Sequence, residues 1–161
     1  MKKPSFDDIY MDLADKLALR SHCVRAQVGA VLTKDTRIVS LGYNGPPAGT
    51  HNCDEEWPGE GCSKDSKGSC SLALHAEQNA ILYAVKNNMS IEGTTLYVTL
   101  SPCIACARVI YSTGIRKVFF RNSYAEYKKI PTDEGVEFLR KFGVEVIRYQ
   151  NTGDAEESSI H

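Results

Sequence analysis

The stretch TLYVTLSPCIACARVIYSTGIRKVFF, residues 95–120, decides the fold. Its first residues, Thr95 to Thr99, are β-branched, aromatic or aliphatic and read as a short buried strand. A helix is expected to begin near Pro102 and close at Gly114, because proline suits the first helical position after a Ser101 cap and glycine ends helices. Val118, Phe119 and Phe120 then form a second strand. A strand, helix and strand in such close succession imply a right-handed crossover, so this half of the sheet should be parallel.

Upstream, Leu74 to Asn87 reads as another helix. Before it, the apolar runs Val28 to Leu32 and Ile38 to Tyr43 are separated by Thr33, Lys34, Asp35, Thr36 and Arg37, which predicts an antiparallel hairpin. Phe6, Ile9, Tyr10, Leu13 and Leu17 recur at helical spacing behind Ser5, a residue suited to cap the helix. Between residues 44 and 71 the chain is polar and punctuated by glycine and proline, a long loop that needs a staple to stay ordered. Downstream, Thr132 to Phe142 predicts a last helix and Val144 to Ile147 an edge strand. The expected fold is α/β, a three-layer α/β/α sandwich with a mixed sheet of about five strands. Residues 1–150 should form one domain, and the polar, acidic stretch 151–161 a flexible tail.

With 161 residues, one core is affordable and two ordinary domains are not. A hydrophobic fraction of 42% and a formal net charge of -1 describe a globular chain without the basic surface that long nucleic acid demands. No apolar run approaches a membrane span and the amino terminus lacks a signal-peptide core, so a cytoplasmic location is expected. The six cysteines then read as metal ligands or thiols ahead of disulfides.

The chemistry is carried by His75-Ala76-Glu77 and by Pro102-Cys103-Ile104-Ala105-Cys106. One imidazole and two thiolates suit a catalytic zinc that keeps its fourth position open. Helix starts would aim unpaired N–H groups and the positive dipole end at the site, favouring thiolates. In a regular helix His75 and Glu77 would diverge by about 200°. Both can serve one site only near the first turn, with Glu77 as a general acid/base beside the metal. H-x-E followed by P-C-x-x-C is the signature of zinc deaminases acting on cytosine or adenine. Competing readings are a structural zinc ribbon, a redox dithiol and a non-catalytic, zinc-stabilised interaction module.

Longer segments carry a resemblance: Cys23 to Val31, Gly42-Tyr43-Asn44-Gly45-Pro46-Pro47-Ala48-Gly49, His75 to Ile81, and Thr95 to Cys103. From about Phe6 to about Ile147 the chain resembles deoxycytidylate (dCMP) deaminases. The resemblance implies hydrolysis of dCMP to dUMP and ammonia, activation by dCTP, with magnesium able to accompany that effector, inhibition by dTTP, and a homohexamer. It places Asn44 on the sugar and counts Ala76 and Ser101 among the substrate-binding positions. It also puts the effector region at Gly42, Tyr43 and Gly45, with Lys86 a further candidate whose alternative is an ordinary exposed lysine. A nucleotide's phosphate needs cations, and Arg25 and Arg121, with Tyr124, are candidate phosphate or ribose partners near strand ends. Deaminases of free cytidine or of tRNA adenosine remain alternatives on the same fold.

Cys23, Cys53, Cys62 and Cys70 are left over, enough for a second, structural zinc that would pin the long loop, and related enzymes carry a second zinc there. His22, His51 or water could replace one of these ligands, and buried free thiols are the alternative.

Overall fold

The computed structural model describes residues 2–56, 59, 62 and 64–152. The polar turn that begins the first hairpin is tighter than the sequence suggests. Strands β1 (Gly29–Lys34) and β2 (Arg37–Tyr43) leave only Asp35 and Thr36 between them. Both turn residues have positive φ, 50° and 61°, a backbone whose twist matches that of the flanking strands. Three further strands, β3 (Thr95–Leu100), β4 (Lys117–Asn122) and β5 (Glu145–Arg148), complete a sheet of order β2-β1-β3-β4-β5. β1 is antiparallel to both β2 and β3, whereas β3, β4 and β5 run parallel. The mixed five-stranded sheet is the one expected.

Side-chain alternation in the central strands makes the two faces. Leu96, Val98, Val118 and Phe120 join Ala30 and Leu32 in the larger core, against helix α3 (Ala76–Lys86), helix α4 (Ile104–Ser112) and helix α6 (Glu134–Lys141). Val31, Tyr97 and Phe119 point the other way, onto Tyr10, Met11 and Ala14 of α1 (Phe6–Ala18). Helices therefore cover both faces, giving the α/β/α sandwich. Two short helices were not foreseen, α2 (Cys53–Glu56) in the long loop and α5 (Tyr124–Lys128) after β4. No helix among the described residues is long and apolar enough to cross a membrane.

Ser5 caps α1 as its sequence position implies, accepting from Asp8 N at 3.0 Å while Asp8 Oδ2 accepts from Ser5 N. The same carboxylate accepts from the Tyr149 hydroxyl, and from the Thr152 backbone and hydroxyl. Asn151 is tied in as well, between Arg121 and Asp12. The chain after β5 is thus bonded to α1 through Thr152, and residues 153–161, the rest of the expected tail, lie outside the described residues.

Burial pushes the Asp8 carboxyl up, but the Thr152, Tyr149 and Ser5 donors outweigh it and hold the group well below the usual carboxylate range. A pKa lower in the folded than in the unfolded chain adds stability above the ordinary value of 3.8 and loses it as the pH falls below that. Asp8→Ala should therefore cost roughly 1–2 kcal/mol at neutral pH. Its melting temperature should also fall less steeply than the parent's on acidification, and parallel melting curves at the two pH extremes would contradict this role.

Candidate active site

Both metal-ligand segments enter the site as helix caps. His75 is the N-cap of α3, with extended backbone (φ −71°, ψ 158°), and Cys103 is the N-cap of α4 (φ −67°, ψ 167°). Because His75 precedes the helical turns, its side chain escapes the rotation that would separate it from Glu77, which lies in the first turn. Cys106 occupies the first turn of α4. Gly42 lets the α3 start sit close on β2: a Cβ there would lie 2.5 Å from the Ala76 carbonyl oxygen. The expected Ser101 cap and Pro102 helix start are displaced, since the helix begins at Ile104. Ser101 is drawn elsewhere, its hydroxyl donating to Asp133 Oδ2 at 2.6 Å and accepting from Tyr124 N at 2.7 Å.

His75 Nδ1 lies 3.2 Å from Cys106 Sγ and 3.6 Å from Cys103 Sγ, and the three ligand atoms are all within 4.8 Å of one another. Zinc–nitrogen and zinc–sulfur bonds of about 2.0 and 2.3 Å at a tetrahedral angle place ligand atoms roughly 3.5 Å apart. The donor set and its spacing therefore fit zinc. A ribbon site would need a fourth protein ligand, and no fourth His, Cys, Asp or Glu joins this group among the described residues.

The contact between the two thiols sets their acidities apart. Hydrogen bonding from the Cys106 thiol, and then from His75, outweighs burial and brings the Cys103 thiol well below the usual range. The hydrogen bond to Cys103, together with burial, keeps the proton on Cys106. His75 is raised by its bond to Cys103. Beside them Glu77 is 4% exposed, and burial pushes its carboxyl up to about 7 against the opposing pull of its backbone contact and of His75. A carboxyl poised there exchanges its proton near neutral pH, as an acid/base must.

His75, Glu77 and Cys103 line a cavity of about 290 Å³, with the buried Cys106 behind them. Arg25, Asn44, Ala76, Ser101 and Tyr124, all named from the sequence as substrate-binding, line it. Arg121 does not. Its guanidinium is 2.6 Å from Asp15 and 3.5 Å from Asp12, and also donates to Asn151, so it ties β4 to α1. Asn44 reaches the cavity wall, but its amide is partly spent on the chain, accepting from Val28 N and donating to Ala26 O. Sequence reasoning missed Tyr127 and Lys128, which α5 brings to the rim. The usable signal was Ser123, a capping residue, ahead of Tyr124 and Lys128 at a spacing of four.

The other four cysteines gather beside the cavity. Burial raises the Cys53 thiol, and the nearby Cys70, Cys23 and Cys62 push it the same way. They are neighbours without forming a group as tight as the catalytic triad. His22 and His51 are instead hydrogen-bonded to Asp54 and Glu56, at 3.0 and 2.7 Å. The proposed effector positions Gly42, Tyr43, Gly45 and Lys86 lie off the cavity lining. The Tyr43 carbonyl accepts from Asn79, Gly45 bridges to Leu74 in both directions, and Lys86 is exposed in the last turn of α3.

Residues 4–122 match the family described as the cytidine and deoxycytidylate deaminase zinc-binding region. The deoxycytidylate deaminase of Enterobacteria phage T2 is 37% identical over 84% of this chain and 88% of its own length. That of Mycobacterium phage D29 is 40% identical over 74% of this chain and 97% of its own. Among solved structures, the dCMP deaminase of cyanophage S-TIM5 in complex with dCMP and dUMP superimposes with a TM-score of 0.75. It is 35% identical and is matched over 92% of this chain and 100% of that one.

Proposed function

Since the chain belongs to the cytidine and deoxycytidylate deaminase family and is a hydrolase of the deaminase class, we propose that its substrate is dCMP, converted with water to dUMP and ammonia. The observation that carries the reading is the buried Glu77 carboxyl, set beside three ligand atoms that fit zinc at the floor of a nucleotide-sized cavity. A structural zinc site has no use for an acid/base next to an open coordination position. The chain's likeness to a protein solved with dCMP and dUMP supports the choice of substrate.

His75, Cys103 and Cys106 would hold the zinc. When bound, it supplies Lewis acidity that makes a water acidic near neutral pH. Glu77 takes one proton from the attacking water and passes it to the ring nitrogen beside the amine-bearing carbon, then takes the second proton from the hydroxyl added at that carbon and returns it to the amine, which leaves as ammonia while the hydroxyl becomes the carbonyl. Its burial serves this traffic, since an ordinary carboxyl is too weak a base to take the water proton and, ionised near neutral pH, does not hold one for the amine. Asn44, with part of its amide committed, keeps capacity to meet the sugar, and Arg25 and Tyr124 face the substrate's outer end. Ala76 contributes one of the free N–H groups of a helix start, and Ser101 holds the wall in place.

The proposal extends to a second, structural zinc held by Cys23, Cys53, Cys62 and Cys70. The shared neighbourhood of these thiols supports it, and so does the engagement of His22 and His51 with acids. Regulation by dCTP with magnesium and by dTTP, at Gly42, Tyr43, Gly45 and Lys86 in a homohexamer, belongs to the same proposal, as does a cytoplasmic setting. Ammonia release from dCMP and deoxycytidine, with and without dCTP, tests the assignment. A strong preference for dCMP is expected, and equal use of both would refute a phosphate-reading enzyme.

A further inference from the structure

The three metal ligands are not equally held by their own helices. Cys106 lies in the first turn of α4 and is 1% exposed, whereas His75 and Cys103 precede the helical turns as N-caps. At α3 the third helical residue, Gln78, reaches back, and its side-chain oxygen accepts from His75 N at 2.8 Å. The third helical position of α4 is Cys106, whose sulfur belongs to the metal site, so α4 supplies no matching brace for Cys103. The backbone that carries the Cys103 sulfur has to be fixed from outside the helix.

Asp133 reaches that backbone. It is the N-cap of α6, a position that favours aspartate because the carboxylate can accept from the free N–H groups of the helix start, yet it makes no capping bond. Its Oδ2 instead accepts from the Ser101 hydroxyl at 2.6 Å and from the Ser123 hydroxyl at 3.0 Å. Its Oδ1 is buried with no hydrogen-bond partner among the described residues. A carboxylate that forgoes its own helix and leaves a buried oxygen unpaired is costly, and such breaches of local preference gather at functional sites. Ser101 is 2% exposed; its hydroxyl also accepts from Tyr124 N at 2.7 Å, and its N–H donates to the Asn122 carbonyl at 2.8 Å. The start of α6 presses on the same turn, where a Cβ on Gly135 would overlap the Pro102 carbonyl oxygen and lie 2.9 Å from the Cys103 carbonyl carbon.

We propose that Asp133 is a positioning residue for the metal centre: through the Ser101 hydroxyl it fixes the Ser101-Pro102-Cys103 turn, and thereby the place of the Cys103 sulfur. The inference rests on the catalytic-zinc reading above. Asp133 does not line the cavity, so it acts on the site through the serines it holds. Pro102, whose ring fixes φ, leaves little slack between the anchored serine and the cysteine. A sulfur already in place spares the metal the cost of ordering the turn, which is how groups behind a ligand raise affinity.

Asp133→Ala tests the assignment in the full chain loaded with cobalt(II), whose visible absorption reports the arrangement of the sulfurs around it. The catalytic-site signal is the part of the parent spectrum that Cys106→Ala lacks. In Asp133→Ala that signal should shift, and zinc affinity at the site, measured by competition with a chelator, should fall about 10–100-fold. Ser101→Ala should do the same, with the double variant no worse than either single one, because the two residues act as one unit. Asp133→Asn, whose amide oxygen still accepts from the serines, should restore most of the parent signal. Ser123→Ala spares the Ser101 bond and should leave the signal in place; a shift as large as that of Asp133→Ala would move the effect to α5 and overturn the route through Ser101. A lower melting temperature in Asp133→Ala with unchanged spectrum and affinity would overturn the proposal, and if that variant does not fold, an unchanged spectrum in Ser101→Ala would do so. A parent spectrum identical to that of Cys106→Ala would instead overturn the zinc reading itself.

Discussion

Glu77→Gln is expected to lower turnover on the order of 10³-fold while leaving zinc content and melting temperature close to those of the parent. The amide keeps the shape and burial of the acid, but it cannot take a proton from water and hand it on. Because Glu77 is buried and its carboxyl titrates near neutrality, the substitution also removes a desolvated group whose charge is costly, so stability should hold or rise. Turnover by ammonia release, read beside zinc analysis and a thermal melt, separates chemistry from folding. Activity within tenfold of the parent would remove Glu77 from the mechanism.

The second large effect is at the metal. Cys106→Ala should cost one equivalent of zinc per chain and at least on the order of 10⁴ in turnover, because Cys106 is 1% exposed and no other described His, Cys, Asp or Glu stands ready to replace its sulfur. If the four remaining cysteines hold their own zinc, the variant keeps that second equivalent and stays folded. A variant that retains all its zinc and its activity would show that these three residues are not the catalytic ligands.

Much of this was readable in the chain. The run from Thr95 to Phe120 determined the parallel half of the sheet, because apolar strand, capped helix and apolar strand agree at every level. His75, Glu77, Cys103 and Cys106 were legible as a set because zinc chemistry restricts both residue type and spacing. The residues that escaped notice depend on distant partners. Arg121 has the character of a phosphate ligand, but Asp12 and Asp15, more than a hundred residues away in sequence, claim its guanidinium. Ser101 and Pro102 looked like a helix start until Asp133 and Tyr124 drew the serine hydroxyl away. Lys128 sits on a helix of five residues, too short for hydrophobic periodicity to register.

The most direct test of the central claim is to incubate the zinc-loaded protein with dCMP in water enriched in heavy oxygen, and to weigh the product while counting ammonia. The expected products are dUMP carrying one heavy oxygen and one ammonia per turnover, with both lost in Glu77→Gln. A folded, zinc-loaded protein that leaves dCMP unchanged, with or without dCTP, would contradict it.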